Sequence, residues 1–393
     1  MKVEFTKRVM EKMKEMTKLR NISGMLNMAL TAPLTGQEIY PDDVELLRKD
    51  ALEAKAEMEK EGDDHLSVEM TMLMIMLQDL AKPFIHDENI LSTFMFELEN
   101  HCMVFSKKEY EENPYYKNIR FDCFDKEKRG NFELGYRQYK AFELWPFGAP
   151  HRLDGEFIDI PRIGCFDDEF KFPVIAENGA VWMSVTPNEV ISMVTPLSHA
   201  KGRVLTLGLG MGYFAYMASL KDDVESVTII EKEQAVIDLF TEYILPQFET
   251  KDKINIIKSD AVAYVQNLAD DEYDYCFADI WQGAMNIDVY FKVKEACRKR
   301  FVKMKVDYWI EDSFIMGLMS SVILEITMAF YKAGDIPAPA MPNLSDFEKK
   351  QREYISRLLE KECISKPEHI DYYADPQTLL KLIDKTDITW DNE

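Results

Sequence analysis

The sequence predicts an α/β chain: a Rossmann-like doubly wound sheet, preceded by a small antiparallel β region and an N-terminal helical domain. Three observations predict it. Five short apolar strands, "RVLTLGL", "SVTIIE", "INIIKSD", "YDYCFADI" and "VDYWIED", alternate with helical stretches. Three glycines, Gly208, Gly210 and Gly212, follow the first strand in "GRVLTLGLGMGYFAYMAS". Acids end the next three strands: Glu231, Asp260 and Asp279.

Taken in chain order, residues 1–110 read as a helical N-terminal domain. "VEMTMLMIMLQDLA" is apolar nearly all round, as a buried central helix would be, and its neighbours carry charge on one face. Methionine fills irregular gaps in such packing. Residues 111–185 change to a small β-rich domain, in which "GEFIDIPRIGCF", "FKFPVIAENG" and "AVWMSV" mix aromatic and β-branched residues with turn punctuation. Residues 186–335 form the α/β domain, with "EQAVIDLFTEYILPQF" and "AVAYVQNLA" as helices between strands. One long apolar helix follows Asp312, then the proline-rich break "GDIPAPAMPN". Residues 336–393 form a helical C-terminal extension that carries "SDFEKKQREYISRLLEKE".

Composition narrows the class. With 393 residues, 47% of them hydrophobic, the chain can bury a large core across several domains. A net charge of −23 repels nucleic acid and anionic lipid, so nucleic acid is an unlikely partner and cationic or neutral ligands are favoured. The basic run "KVKEACRKRFVKMK" reads as a solvated helix face. The run "SFIMGLMSSVILEITMAF" reaches the lower limit of a membrane span only by including Glu325, so a buried helix and no membrane partner are expected. No apolar h-region opens the sequence and the six cysteines form no C-x-x-C pair, which together point to a cytoplasmic location. The histidines have no ligand spacing and "FDDEF" has no histidine partner, so no metal is expected.

In a doubly wound sheet, ligands lie beyond the carboxyl ends of the strands, where a glycine turn exposes bare backbone. The spacing G-x-G-x-G places Tyr213 where a dinucleotide fingerprint would need a further glycine, which favours an adenosyl ligand without a pyrophosphate. Glu231 can accept the ribose hydroxyls, or complement the N-terminus of the next helix. Asp260 can accept the adenine amine, or cap "AVAYVQNLA".

Residues from about 150 to 312 resemble the class I S-adenosylmethionine-dependent methyltransferase fold, and within it the spermidine-synthase-like branch. The layout of "ENGAVWMSVTPNEVISMVTPLSHAKGRVLTLGLGMG" carries the resemblance, with Thr206 where many methyltransferases place an acid. It implies that Gly208, Gly210 and Gly212 border an S-adenosyl-L-methionine donor, that Glu231 holds its ribose, and that Asp260 with Ala261 contacts adenine. Aminopropyltransferases of that branch carry a second acid and a proline after the fourth strand. Here "DIWQG" keeps Asp279 but has Gln282 and Gly283 at those places, and Trp182 replaces an expected glutamine.

Asp279 is the candidate catalytic residue, orienting a nucleophilic nitrogen or taking its proton. Trp281 offers an aromatic face to a cation, with Gln282 beside it. Glu311 and Asp312, read as the end of the fifth strand, could stand in for the missing second acid. The leading expectation is methyl transfer from S-adenosyl-L-methionine to a small cationic or neutral acceptor. The alternatives are aminopropyl transfer to a polyamine and a catalytically silent donor-binding scaffold. Residues 1–110 suit a dimerisation module or a lid, which makes a homodimer an expectation.

Overall fold

The computed structural model describes residues 1–62, 65–121, 127–153, 157–269, 272–337 and 343–391. The predicted strands form one five-stranded parallel sheet. They span Gly202–Leu207, Val224–Glu231, Ile254–Lys258, Tyr275–Ala278 and Lys305–Tyr308, numbered first to fifth here. Their spatial order is third, second, first, fourth, fifth. The order reverses beside the first strand, which is where such a sheet opens a crevice for a ligand. The first and fourth strands pair in register from Val204 with Tyr275 to Leu207 with Ala278. Both are buried along these residues, as parallel strands covered on two faces must be.

The helices Tyr213–Ser219, Ala261–Asn267 and Ile287–Arg300 occupy the connections. The expected helix "EQAVIDLFTEYILPQF" is α-helical only over Gln234–Leu239 and widens into a π turn at Phe240–Ile244. The fifth strand stops at Tyr308. Ile310 adopts a left-handed backbone, φ +49°, and the long helix Glu311–Ala333 starts at once. Glu311 and Asp312 therefore open a helix, where their charge complements its N-terminal dipole, and do not end a strand. That helix is long and apolar enough to cross a membrane by composition alone. In the fold Phe314, Leu318, Val322 and Ile326 bury it in the main core.

The β region is an antiparallel sheet in the order Ala180–Ser184, Phe170–Glu177, Phe132–Tyr139, Lys128–Arg129. A bulge between Val181 and Met183 breaks its register. A smaller sheet joins Met103–Phe105, Ile163–Phe166 and Trp145–Pro146. The expected strand "GEFIDIPRIGCF" is divided at Pro161, and its first two residues lie outside the described residues. So does half of the proline-rich break, residues 338–342.

Four N-terminal helices span Lys7–Leu30, Val44–Glu61, Val68–Ala81 and Glu88–His101, capped by Thr6, Asp43, Ser67 and Asp87. Met72, Leu73 and Leu77 of the third share an apolar cluster with Leu26, Phe94, Phe142 and Ile163. At the other end of the chain, Cys363–Ile364 pairs in parallel with Lys2–Val3, so the two terminal regions are stitched together.

The glycine turn is defined by what surrounds it. Gly208, Gly210 and Gly212 have φ of +103°, +58° and +75°, all in the region that side chains avoid. A Cβ on Gly208 would run into the backbone carbonyl of Asp279, and one on Gly212 into the ring of Phe240. At Gly210 a Cβ would meet only the thioether of Met183, 3.1 Å from its sulfur. Gly208→Ala is therefore expected to cost about 4 kcal/mol or more. Gly210→Ala should cost only the left-handed backbone penalty, about 1–2 kcal/mol. Urea unfolding of both variants followed by circular dichroism checks this, and equal losses would contradict it.

Candidate functional site

Beyond the glycine turn, a cavity of about 650 Å³, counting its mouth, opens between the parallel sheet and the antiparallel β region. Gly208, Leu209, Gly210 and Met211 form its floor. Trp182, Met183, Ser184 and Val185 form the facing wall. Adjacent residues of a regular strand point to opposite faces, and the bulge at Val181 and Met183 is what lets Trp182 and Met183 border one space.

Two carboxylates enter the cavity, Asp279 from the end of the fourth strand and Glu189 from the helix Pro187–Ser192. No lysine, arginine or histidine lines it among the described residues. Asp279 is held through its backbone, its N–H donating to Leu207 O at 2.7 Å. Its carboxylate accepts no hydrogen bond among the described residues, and part of its surface faces the cavity. Burial, with the charge of Glu231 behind it, pushes Asp279 up to about 7. Glu189 accepts from Ser184 Oγ and Thr186 N–H, both at 3.1 Å. Burial is the main cause that pushes it up to about 8, opposed by those hydrogen bonds and reinforced by the charge of Asp279.

The aromatic walls are fixed by their own polar atoms. Trp281 Nε1 donates to Trp309 O at 3.1 Å, and Trp309 Nε1 donates to Ser192 Oγ at 2.8 Å. Their ring faces are thereby held against rotation toward solvent. A five-residue helix, Pro114–Asn118, braces the cavity from outside. Tyr115 Oη donates to Met211 O in the glycine turn, and Tyr116 Oη donates to Val185 O in the facing wall, each at 2.5 Å.

The other sequence candidates fall into two groups. Trp281 and Gln282 line the cavity with Asp279, Gly208 and Gly210. Gly212, Glu231, Asp260, Ala261, Glu311 and Asp312 do not. Gly212 begins the helix Tyr213–Ser219. Glu231 lies beneath the turn, accepting from Leu209 N–H at 3.2 Å and from the N–H groups of Lys232 and Glu233 at 2.7 and 2.8 Å. Its carboxylate thus shapes the glycine turn, whatever it offers a ribose. Asp260 caps the helix Ala261–Asn267, accepting from Ala263 N–H at 2.9 Å, and is exposed. Ala261 is buried beside it. Glu311 is engaged by Tyr290 Oη at 2.7 Å and Lys294 Nζ at 2.8 Å. It does not supply the second acid of the cavity. Glu189 takes that place, and its signal in the sequence, Thr186 followed three residues later by Glu189, reads equally as a helix-capping pair.

No family model matches the chain, and no curated protein does. Solved structures that it is similar to include a spermidine synthase in complex with the transition-state analogue AdoDATO, at 16% identity and a TM-score of 0.27. That similarity covers 41% of this chain and 56% of the other, so the chain spans little more than half of that protein's length. A spermidine synthase from Thermotoga maritima is similar at 13% identity and a TM-score of 0.28, covering 48% of this chain and 70% of the other. The class of the protein is set by its own architecture, a Rossmann-like α/β fold with a cavity at the switch point of its sheet.

The raised values of Asp279 and Glu189 have a consequence for stability. A carboxyl that is harder to ionise in the fold contributes its full stabilisation below the ordinary carboxylate range, near pH 4, and loses it as pH rises toward 7 and 8. Asp279→Asn removes one of these groups without breaking a side-chain hydrogen bond. The variant is expected to melt several degrees above the unsubstituted protein at pH 8, on the order of 1–2 °C per kcal/mol for a chain of this length, and level with it at pH 4.5. Scanning calorimetry at the two pH values checks this, and a difference of the same size at both would overturn it.

Proposed function

We propose that this chain is a transferase that binds a nucleoside sulfonium donor and passes an aminopropyl group to an amine, the donor being a decarboxylated S-adenosylmethionine. The observation that carries this reading is the charge balance of the cavity, which has two carboxylates and no basic residue among those lining it. A donor with a free amino-acid end brings a carboxylate to this space. At about 5 Å and an effective dielectric of about 20, its repulsion from an ionised acid of the pair is worth about 3 kcal/mol. The decarboxylated donor brings a sulfonium and an ammonium, and is attracted by the same charges.

The chemistry asked of the chain is modest. A neutral amine nitrogen attacks the carbon bonded to sulfur, the carbon–sulfur bond breaks with its electrons going to sulfur, and the new ammonium loses a proton to Asp279. A carboxylate lifted to about 7 is matched to that transfer near neutral pH. The glycine turn, shaped from beneath by Glu231, would hold the nucleoside, and the faces of Trp182, Trp281 and Trp309 would receive positive charge. Methyl transfer from S-adenosyl-L-methionine, the leading expectation from the sequence, uses the same floor and the same Asp279. It is favoured by Gln282 in place of a second acid on the fourth-strand loop, and disfavoured by Glu189.

Calorimetric titration with both donors separates the readings. The decarboxylated donor is expected to bind at least a hundredfold more tightly, and with butane-1,4-diamine to yield 5′-methylthioadenosine and an aminopropylated amine by mass spectrometry. S-adenosyl-L-methionine bound as tightly, with S-adenosylhomocysteine as product, would establish methyl transfer in its place. In either case Asp279→Asn should lower turnover by about a hundredfold to ten-thousandfold. Donor affinity should fall far less.

A further inference from the structure

Glu189 is the one acid of the cavity that does not come from the strand ends. It reaches in from the first turn of Pro187–Ser192, and its surroundings can be named element by element. Ser184 and the Thr186 N–H donate to it. Tyr115 and Tyr116 face it from the bracing helix, Tyr139 from the strand Phe132–Tyr139, and Asp279 from across the cavity, with Glu231 behind Asp279. The three tyrosines are held protonated by burial. None of these neighbours is cationic. Independently, Asp279 presents a carboxylate with no hydrogen-bond partner among the described residues, facing the same space.

We propose, resting on the reading of this cavity as a site for cationic ligands, that Glu189 is its second ammonium-binding residue, and that a primary ammonium seated between Glu189 and Asp279 expels a proton from the pair. Two carboxylates lining one narrow cavity cannot both ionise cheaply without a counter-charge, so the empty site keeps a proton that aqueous carboxyls would shed. An ammonium supplies the counter-charge. It forms charge-assisted hydrogen bonds to both carboxylates, and the displaced proton passes to the buffer while no covalent bond to carbon changes. Glu189 thereby restores the two-acid arrangement that Gln282 denies to the fourth-strand loop, from a different element of the fold. The raised values of both acids agree with this account.

The test is calorimetric titration of the full chain with butane-1,4-diamine in two buffers of different ionisation enthalpy. Release of about one proton per amine is expected at pH 7, with affinity rising at least tenfold from pH 6 to pH 8. Glu189→Gln should weaken amine binding at least tenfold, reduce the proton release and flatten the pH dependence. A melting scan at pH 5 shows whether the variant is folded, and if it is not, the proton count of the unsubstituted protein decides alone. Amine binding without proton release, unchanged affinity in a folded Glu189→Gln, or no amine binding at millimolar concentration overturns the proposal. Titration with 5′-methylthioadenosine is run separately. Failure of the nucleoside to bind, with proton-coupled amine binding intact, removes the donor reading and leaves the ammonium site standing.

Discussion

The whole site depends on one backbone contact, the carbonyl of Asp279 lying where a side chain on Gly208 would be. Adjacent parallel strands are held at a fixed spacing by their ladder, and the first and fourth strands keep theirs to the last pair, Leu207 with Ala278. Past that point the chains must diverge to begin their helices. Because residue 208 has no side chain, they stay together one residue longer, with Asp279 N–H on Leu207 O at 2.7 Å. The backbone of Asp279 is consequently fixed by main-chain bonds alone. Its half-buried carboxylate accepts no hydrogen bond among the described residues.

The same economy of roles does not extend to its neighbours. Glu231 and Asp260 each satisfy N–H groups of their own turn or helix, and Glu189 satisfies Thr186. These acids would fold as they do with no ligand in view. What makes a site of them is the enclosure added by the β region and the bracing helix, since Tyr115 and Tyr116 tie the floor and the facing wall to one short element. An opening of the cavity that moved either wall would have to break a buried hydrogen bond, at a cost of about 1–3 kcal/mol for each group left unsatisfied.

This division explains what the sequence could reveal. The parallel sheet was legible because strand length, apolar runs and helical spacers repeat in the primary structure. That Asp279, Trp281 and Gln282 border the cavity was legible because the carboxyl end of the fourth strand flanks the crevice of such a sheet. Glu189 was not, because a glutamate three residues after a threonine is fully accounted for as a cap, and only the packing of the β region turns it inward. Glu311 and Asp312 misled for a local reason. The pattern of "DYWIED" continues like a strand through Ile310, whose left-handed backbone is rare for a β-branched residue and leaves no mark in composition. The pairing of Lys2–Val3 with Cys363–Ile364 was equally hidden, since two-residue strands at opposite ends of a chain carry no periodicity.

Charge operates here on two length scales that do different work. The net charge of −23 raises the concentration of cations around the molecule, but the field is screened over about 8 Å at physiological ionic strength and treats all cations of equal charge alike. The cavity sets a shorter scale, since two carboxylates line it and no lysine, arginine or histidine does among the described residues. The cost of holding those acids in an apolar enclosure falls on the empty protein, as carboxyls that resist ionisation. A ligand that brought positive charge would relieve that cost on binding, and one that brought negative charge would add to it, so a preference for cations and the instability of the empty site would be the same free energy seen from two sides.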